Sequence, residues 1–250
     1  MGIDPILAGA RTSRAFRYTS RPMQKQAWTW TTAHFPQPAR MVRWGHFGTP
    51  VLIFPTAGGD FEEIERFSLV SALCSLIDGG GIKVYSVDAL AVRARLSGAT
   101  SIDEGYDSFL YEDVLRRIRS DCQDERIEPL LVGASLGAGT AMRTLCRHPD
   151  AFRGAIGMSG FYGDWEGWFS ASGNTMTAGR AGGTASARIE QLKGRAITLG
   201  TGSGAYENPT ESKRLAEALA AKGIPCRFSD WGAARDHAWS TWRDLLPGLL

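Results

Sequence analysis

The chain has 250 residues, 43% of them hydrophobic, and carries 28 Lys and Arg against 26 Asp and Glu for a net charge of +2. That is enough apolar material for one large core, and so even a balance gives no reason to expect a nucleic-acid partner. No apolar run approaches the length of a membrane span, and the start lacks the apolar stretch of a secretory signal, so no membrane partner is expected.

No Asp or Glu occurs between Asp4 and Asp60, whereas Arg11, Arg14, Arg17, Arg21, Lys25, Arg40 and Arg43 do. Residues 1–26 are expected to be a flexible basic leader and residues 27–250 a single domain. Two β-rich stretches open it, Ala27 to Ala33 and Arg40 to Trp44, and Val51 to Phe54 is a continuous apolar run that suits a strand buried on both faces. Helical periodicity runs from Phe61 to Ile77 and stops at Gly79-Gly80-Gly81. Ile82 to Val87 is the next strand, Tyr106 to Cys122 an amphipathic helix, Pro129 to Val132 a strand, and Ala138 to Arg147 a helix. Ala155 to Met158 and Ala196 to Gly200 read as strands, Thr210 to Lys222 as a helix, Cys226 to Asp230 as the last strand and Ser240 onward as the closing helix. Strands alternating with crossover helices predict an α/β fold, a mostly parallel, doubly wound sheet with helices on both faces.

The four cysteines, Cys74, Cys122, Cys146 and Cys226, are scattered, with no C-x-x-C pair or Cys/His cluster. Free thiols in a reducing, cytoplasmic setting are expected, and no metal site. Phe161 to Gly194 interrupts the strand–helix rhythm with Phe161, Tyr162, Trp165 and Trp168, then a Gly/Ala/Ser/Thr-rich segment. It reads equally as a lid or as a rim excursion covering the core. The lid reading puts Phe161, Tyr162, Trp165, Trp168 and Trp239 around a substrate pocket.

Gly133-Ala134-Ser135-Leu136-Gly137 stands between a buried strand and a helix. Such a G-x-S-x-G elbow lifts a serine hydroxyl above the sheet edge. A serine is a weak nucleophile and needs a base; in folds built on this elbow the chain order is Ser, then acid, then His. Of His34, His46, His148 and His237, only the last two follow Ser135. His148 lies at the far end of the elbow helix, roughly 20 Å away at about 1.5 Å per residue, which leaves His237. The acid must orient the imidazole. Glu207, behind the strand that starts at Ala196, sits where functional groups collect in such sheets; Asp230 and Asp236 are the alternatives.

These residues resemble the α/β-hydrolase superfamily, and within it the putative-esterase branch near esterase D and polyhydroxybutyrate-depolymerase-like proteins. The resemblance rests on Pro55-Thr56-Ala57-Gly58-Gly59, Lys83 to Asp88, the elbow, Arg147-His148-Pro149-Asp150, Met158-Ser159-Gly160, Lys222-Gly223-Ile224-Pro225, Trp231-Gly232 and Asp236-His237-Ala238-Trp239. It implies an α/β-hydrolase fold and a serine-hydrolase triad of Ser135, Glu207 and His237. Two departures stand out. Pro55 to Gly59 replaces the His-Gly-Gly-Gly run of many lipases, and Thr201-Gly202-Ser203-Gly204 stands where many relatives carry an Asp.

The expected chemistry is acyl transfer from a small-molecule ester to water. The oxyanion would be held by the backbone N–H of Leu136 and of Ala57 or Gly58, with no cofactor required. An acyltransferase of the same fold, and a non-catalytic binding protein that keeps the fold, are the competing expectations.

Overall fold

A computed structural model describes residues 23–89, 102–163, 165–169 and 184–250. Its eight strands are β1 (Lys25–Trp30), β2 (Ala39–Trp44), β3 (Thr49–Phe54), β4 (Ile82–Val87), β5 (Leu130–Ala134), β6 (Gly154–Met158), β7 (Ala196–Thr201) and β8 (Arg227–Asp230). They form one sheet in the order β1-β2-β4-β3-β5-β6-β7-β8. β1 and β2 pair antiparallel, as do β2 and β4, and every later pair is parallel. The chain has the α/β-hydrolase fold. β3, β4, β5 and β6 are buried almost throughout, as strands covered on both faces must be. One core cluster centres on Leu52, Tyr85, Phe109 and Leu131. The other, on the opposite face, centres on Val51, Ile53, Val84 and Trp242.

The helices are α1 (Glu63–Arg66), α2 (Leu69–Ala72), α3 (Cys74–Asp78), α4 (Ile102–Phe109), α5 (Leu115–Cys122), α6 (Leu136–Arg147), α7 (Ala185–Leu192), α8 (Pro209–Ala221) and α9 (Trp239–Leu245). A π-helical turn, Leu110–Val114, joins α4 to α5. The single helix expected from Phe61 to Ile77 is instead three short pieces, broken at Ser68, whose φ is 61°, and at Leu73. Tertiary contacts explain the break. The Phe67 ring stacks on Trp239 at 4.8 Å, and its carbonyl, freed from the helix, accepts from Arg243 at 2.9 Å.

The expected leader lies outside the described residues as far as Pro22, and β1 begins at Lys25, two residues before the expected start. Most of the Gly/Ala/Ser/Thr-rich part of the expected lid also lies outside them. All four cysteines are free thiols.

Candidate active site

Parallel pairing aligns the carboxyl ends of β3, β5, β6 and β7, with Phe54 opposite Gly133, Ala134 opposite Met158 and Met158 opposite Gly200. Ser135 follows β5 directly and precedes the first residue of α6. Its backbone takes φ 56°, ψ −124°, a conformation that costs an L-residue of order 1–3 kcal/mol. Neighbours hold it there. Ser135 donates its N–H to the Met158 carbonyl at 3.0 Å, and its own carbonyl accepts from Phe161 at 3.0 Å. The elbow glycines are required by close approach: a Cβ on Gly133 would strike the Gly137 backbone, and one on Gly137 would meet the carbonyls of Phe54 and Pro55.

Ser135 and His237 line one cleft of about 340 Å³, together with Leu136, Ser159, Gly160, Phe161, Tyr206, Asn208 and Glu211. No hydrogen bond joins the serine hydroxyl to the imidazole, a contact that commonly shortens only when substrate is bound. His237 is pinned through its backbone N–H to the Ala205 carbonyl at 3.0 Å, and its ring packs edge-on to Trp242 at 5.2 Å. Its Nδ1 lies 3.5 Å from Oε2 of Glu207, whose side chain is 1% exposed. The structure thus brings Ser135, His237 and Glu207 to one place.

Burial alone pushes the Glu207 carboxyl up. Its contacts with His237 and Ser159, and a backbone bond from Gly202, outweigh burial and hold it below the usual carboxylate range. The other acids have different tasks. Asp236 accepts the Ala205 N–H at 2.7 Å, and Asp230 accepts that of Gly232 at 2.9 Å. His148 is 5% exposed, stacked on Tyr111 at 4.7 Å, and among the described residues neither of its ring nitrogens has a hydrogen-bond partner.

Leu136 opens α6, so its N–H belongs to the first turn, which has no partner within the helix. Ala57 and Gly58 sit in the turn after β3 that Gly137 packs against, beside the elbow but outside the residues lining the cleft. Of the five aromatics expected in the pocket, Phe161 alone lines it. Tyr162 and Trp168 are buried in the core at 4% and 8% exposure, with Trp165 packed against them. Trp239 stacks on Phe67 and packs edge-on to Trp242 at 5.1 Å. These large rings bury more apolar surface against the core than an open rim would allow.

Three residues escape a reading of the sequence. Ser159 follows β6 with φ 47° and is 4% exposed. It donates to Oε1 of Glu207 at 2.5 Å and accepts from Nε1 of Trp242 at 3.0 Å. The Thr201 hydroxyl lies 3.3 Å from Oε2 of Glu207 and 3.1 Å from the Gly202 carbonyl, its one proton shared between the two acceptors. Glu63 is 7% exposed and accepts both the Thr56 N–H at 2.7 Å and the Thr56 hydroxyl at 2.8 Å, bracing the turn that holds Ala57. The one available signal was Ser159's place between Met158 and Gly160 at the end of a strand adjoining the elbow.

The sequence pattern of the family described as Putative esterase matches residues 79–250. The chain belongs to this family. No curated protein sequence matches it at a significant level, but solved structures resemble it closely in fold. A ferulic acid esterase superposes with a TM-score of 0.68 at 15% identity, covering 91% of this chain and 96% of its own. An S-formylglutathione hydrolase from Staphylococcus aureus gives 0.62 at 12%, covering 91% and 94%. A fluorophosphonate-binding serine hydrolase of the same organism gives 0.63 at 12%, covering 92% and 97%. Among the described residues no group of His, Cys, Asp and Glu gathers as a metal site, and no helix is long and apolar enough to cross a membrane.

Proposed function

We propose that this esterase-family protein is a serine carboxylesterase that hydrolyses small to medium acyl esters through an acyl-enzyme on Ser135. One observation carries the reading: a serine held in a strained elbow shares its cleft with a histidine whose Nδ1 faces a buried carboxylate. His237 takes the Ser135 proton as the hydroxyl attacks the ester carbonyl, and Glu207 stabilises the imidazolium that forms. The oxyanion is received by the N–H of Leu136 and that of Ala57 or Gly58. The positive end of α6 adds to the first of these. His237 then protonates the leaving alcohol and activates the water that releases the acid. Free thiols at all four cysteines support a cytoplasmic location.

A panel of p-nitrophenyl esters of increasing chain length, with feruloyl methyl ester beside them, tests activity and acyl preference. Ser135→Ala is expected to fold normally, lose turnover by several orders of magnitude and resist labelling by a fluorophosphonate that modifies the native chain. Retained turnover or labelling would refute the nucleophile. Adding an alcohol acceptor separates hydrolysis from acyl transfer.

A further inference from the structure

The proposed mechanism leaves one side of the cleft without a task. Glu211, a half-buried residue in the first turn of α8, lines the cleft. Among the described residues its carboxylate has no ion pair or side-chain hydrogen bond, and no Lys or Arg lines the cleft. Two aromatic rings share the lining without being packed away: Phe161 is 55% exposed and Tyr206 is 94% exposed. Tyr206 also takes φ 61°, a conformation that a bulky residue rarely adopts without a functional constraint. Asn208 caps α8 by position, yet its side chain makes no capping bond. Among the described residues its amide makes no side-chain hydrogen bond, which leaves it able to meet a ligand.

We infer that this side of the cleft is a subsite for a positively charged ammonium group, and that the preferred esters carry one on the alcohol or acyl part. This rests on the hydrolase reading of the same cleft. Aromatic faces attract cations through the negative face of the ring, more strongly as water is displaced. A carboxylate in a partly desolvated wall adds an attraction screened less than at an open surface. The same carboxylate, with no Lys or Arg among the described lining residues to offset it, disfavours substrates that bear a carboxylate of their own. The positive end of α8 makes a charge at Glu211 tolerable but does not account for two aromatic rings left exposed beside it.

The test uses the full chain with Ser135→Ala and compares butyrylcholine with its uncharged isostere, 3,3-dimethylbutyl butyrate, by calorimetric titration. The cation is expected to bind about tenfold tighter, with the advantage shrinking as salt is raised. Adding Glu211→Gln should reduce the preference to about twofold or less while leaving the isostere's affinity unchanged, and Tyr206→Ala should reduce it in part. Equal binding of the two esters, or a preference that survives Glu211→Gln, would overturn the subsite. The native chain is assayed in parallel. Turnover of both esters without charge preference fails the subsite alone. Charge-selective binding with neither turnover nor fluorophosphonate labelling fails the hydrolase reading alone.

Discussion

The hydroxyl of Ser159 donates to Glu207 because Trp242 leaves it no other choice. An indole N–H can only donate, so with Trp242 Nε1 3.0 Å from Ser159 Oγ the serine accepts there, and its single proton points to Oε1 of Glu207. That leaves Oε2 facing His237. Ser159 therefore fixes which oxygen orients the imidazole.

Ser159→Ala is expected to lower kcat about ten- to a hundredfold, as loss of a supporting hydrogen bond typically does, with KM little changed. It also leaves the Trp242 N–H buried without an acceptor, at a cost of about 1–3 kcal/mol. The double variant with Trp242→Phe separates the effects: thermal stability should recover while kcat stays low. Full recovery of kcat in the double variant would reduce Ser159 to a packing role.

Glu63 makes a second prediction. Leucine there accepts neither of the two bonds that Thr56 donates, whereas glutamine can keep both contacts, its Oε1 accepting the N–H and its Nε2 donating to the hydroxyl. Glu63→Leu should loosen the turn carrying Ala57 and Gly58, lowering kcat about tenfold while KM holds, and Glu63→Gln should be close to native. A trifluoromethyl ketone, which forms the tetrahedral adduct on serine, should lose affinity in proportion to kcat. Equal losses for the ketone and for ground-state binding would rule out an effect on the oxyanion.

How much of this was legible depended on distance along the chain. The elbow shows in five residues set between a buried strand and a helix, and His237 emerges from chain order once His148 is placed at the far end of the elbow helix. Glu207 could be favoured from its place in the loop behind the strand at Ala196, with Asp230 and Asp236 left as alternatives until β7 is seen beside β6. Ser159 could not be read, because its partners Glu207 and Trp242 lie 48 and 83 residues away. The register of β6 against β7, with Met158 opposite Gly200, brings Ser159 to Glu207, and α9 carries Trp242 to it. The lid and rim readings of the aromatic run from Phe161 could not be separated for a different reason. An aromatic run after a strand has the same composition whether its rings face solvent or core, and Gly157 and Gly160 make room for Tyr162 inward. Periodicity likewise could not foresee that Phe67 would exchange its place in a helix for Trp239 and Arg243.

His148 yields a prediction on stability. Burial depresses its pKa, against the opposing fields of Asp107 and Asp150 and with those of Arg147 and Arg188. The unfolded chain therefore binds the proton more readily than the folded one. Its contribution is fully present above the unfolded value of about 6.5 and is lost as pH falls below it. His148→Phe keeps a ring against Tyr111 and removes two unpartnered nitrogens. The variant should match or exceed the native melting temperature at pH 7.5, lose less of it by pH 5, and leave ester turnover unchanged. Calorimetry at the two pH values decides; an equal or steeper decline in the variant would place the titration elsewhere.

Five non-glycine residues in the described structure have positive φ, and three of them, Ser135, Ser159 and Tyr206, line the cleft. Each sits where glycine would rest with less strain. Ser135→Gly should accordingly melt higher than Ser135→Ala, by an amount corresponding to about 1 kcal/mol, though both are inactive. Heat resistance and turnover thus compete for the same three backbone positions. Selection of this protein for thermal tolerance alone would be expected to erode its cleft before its core.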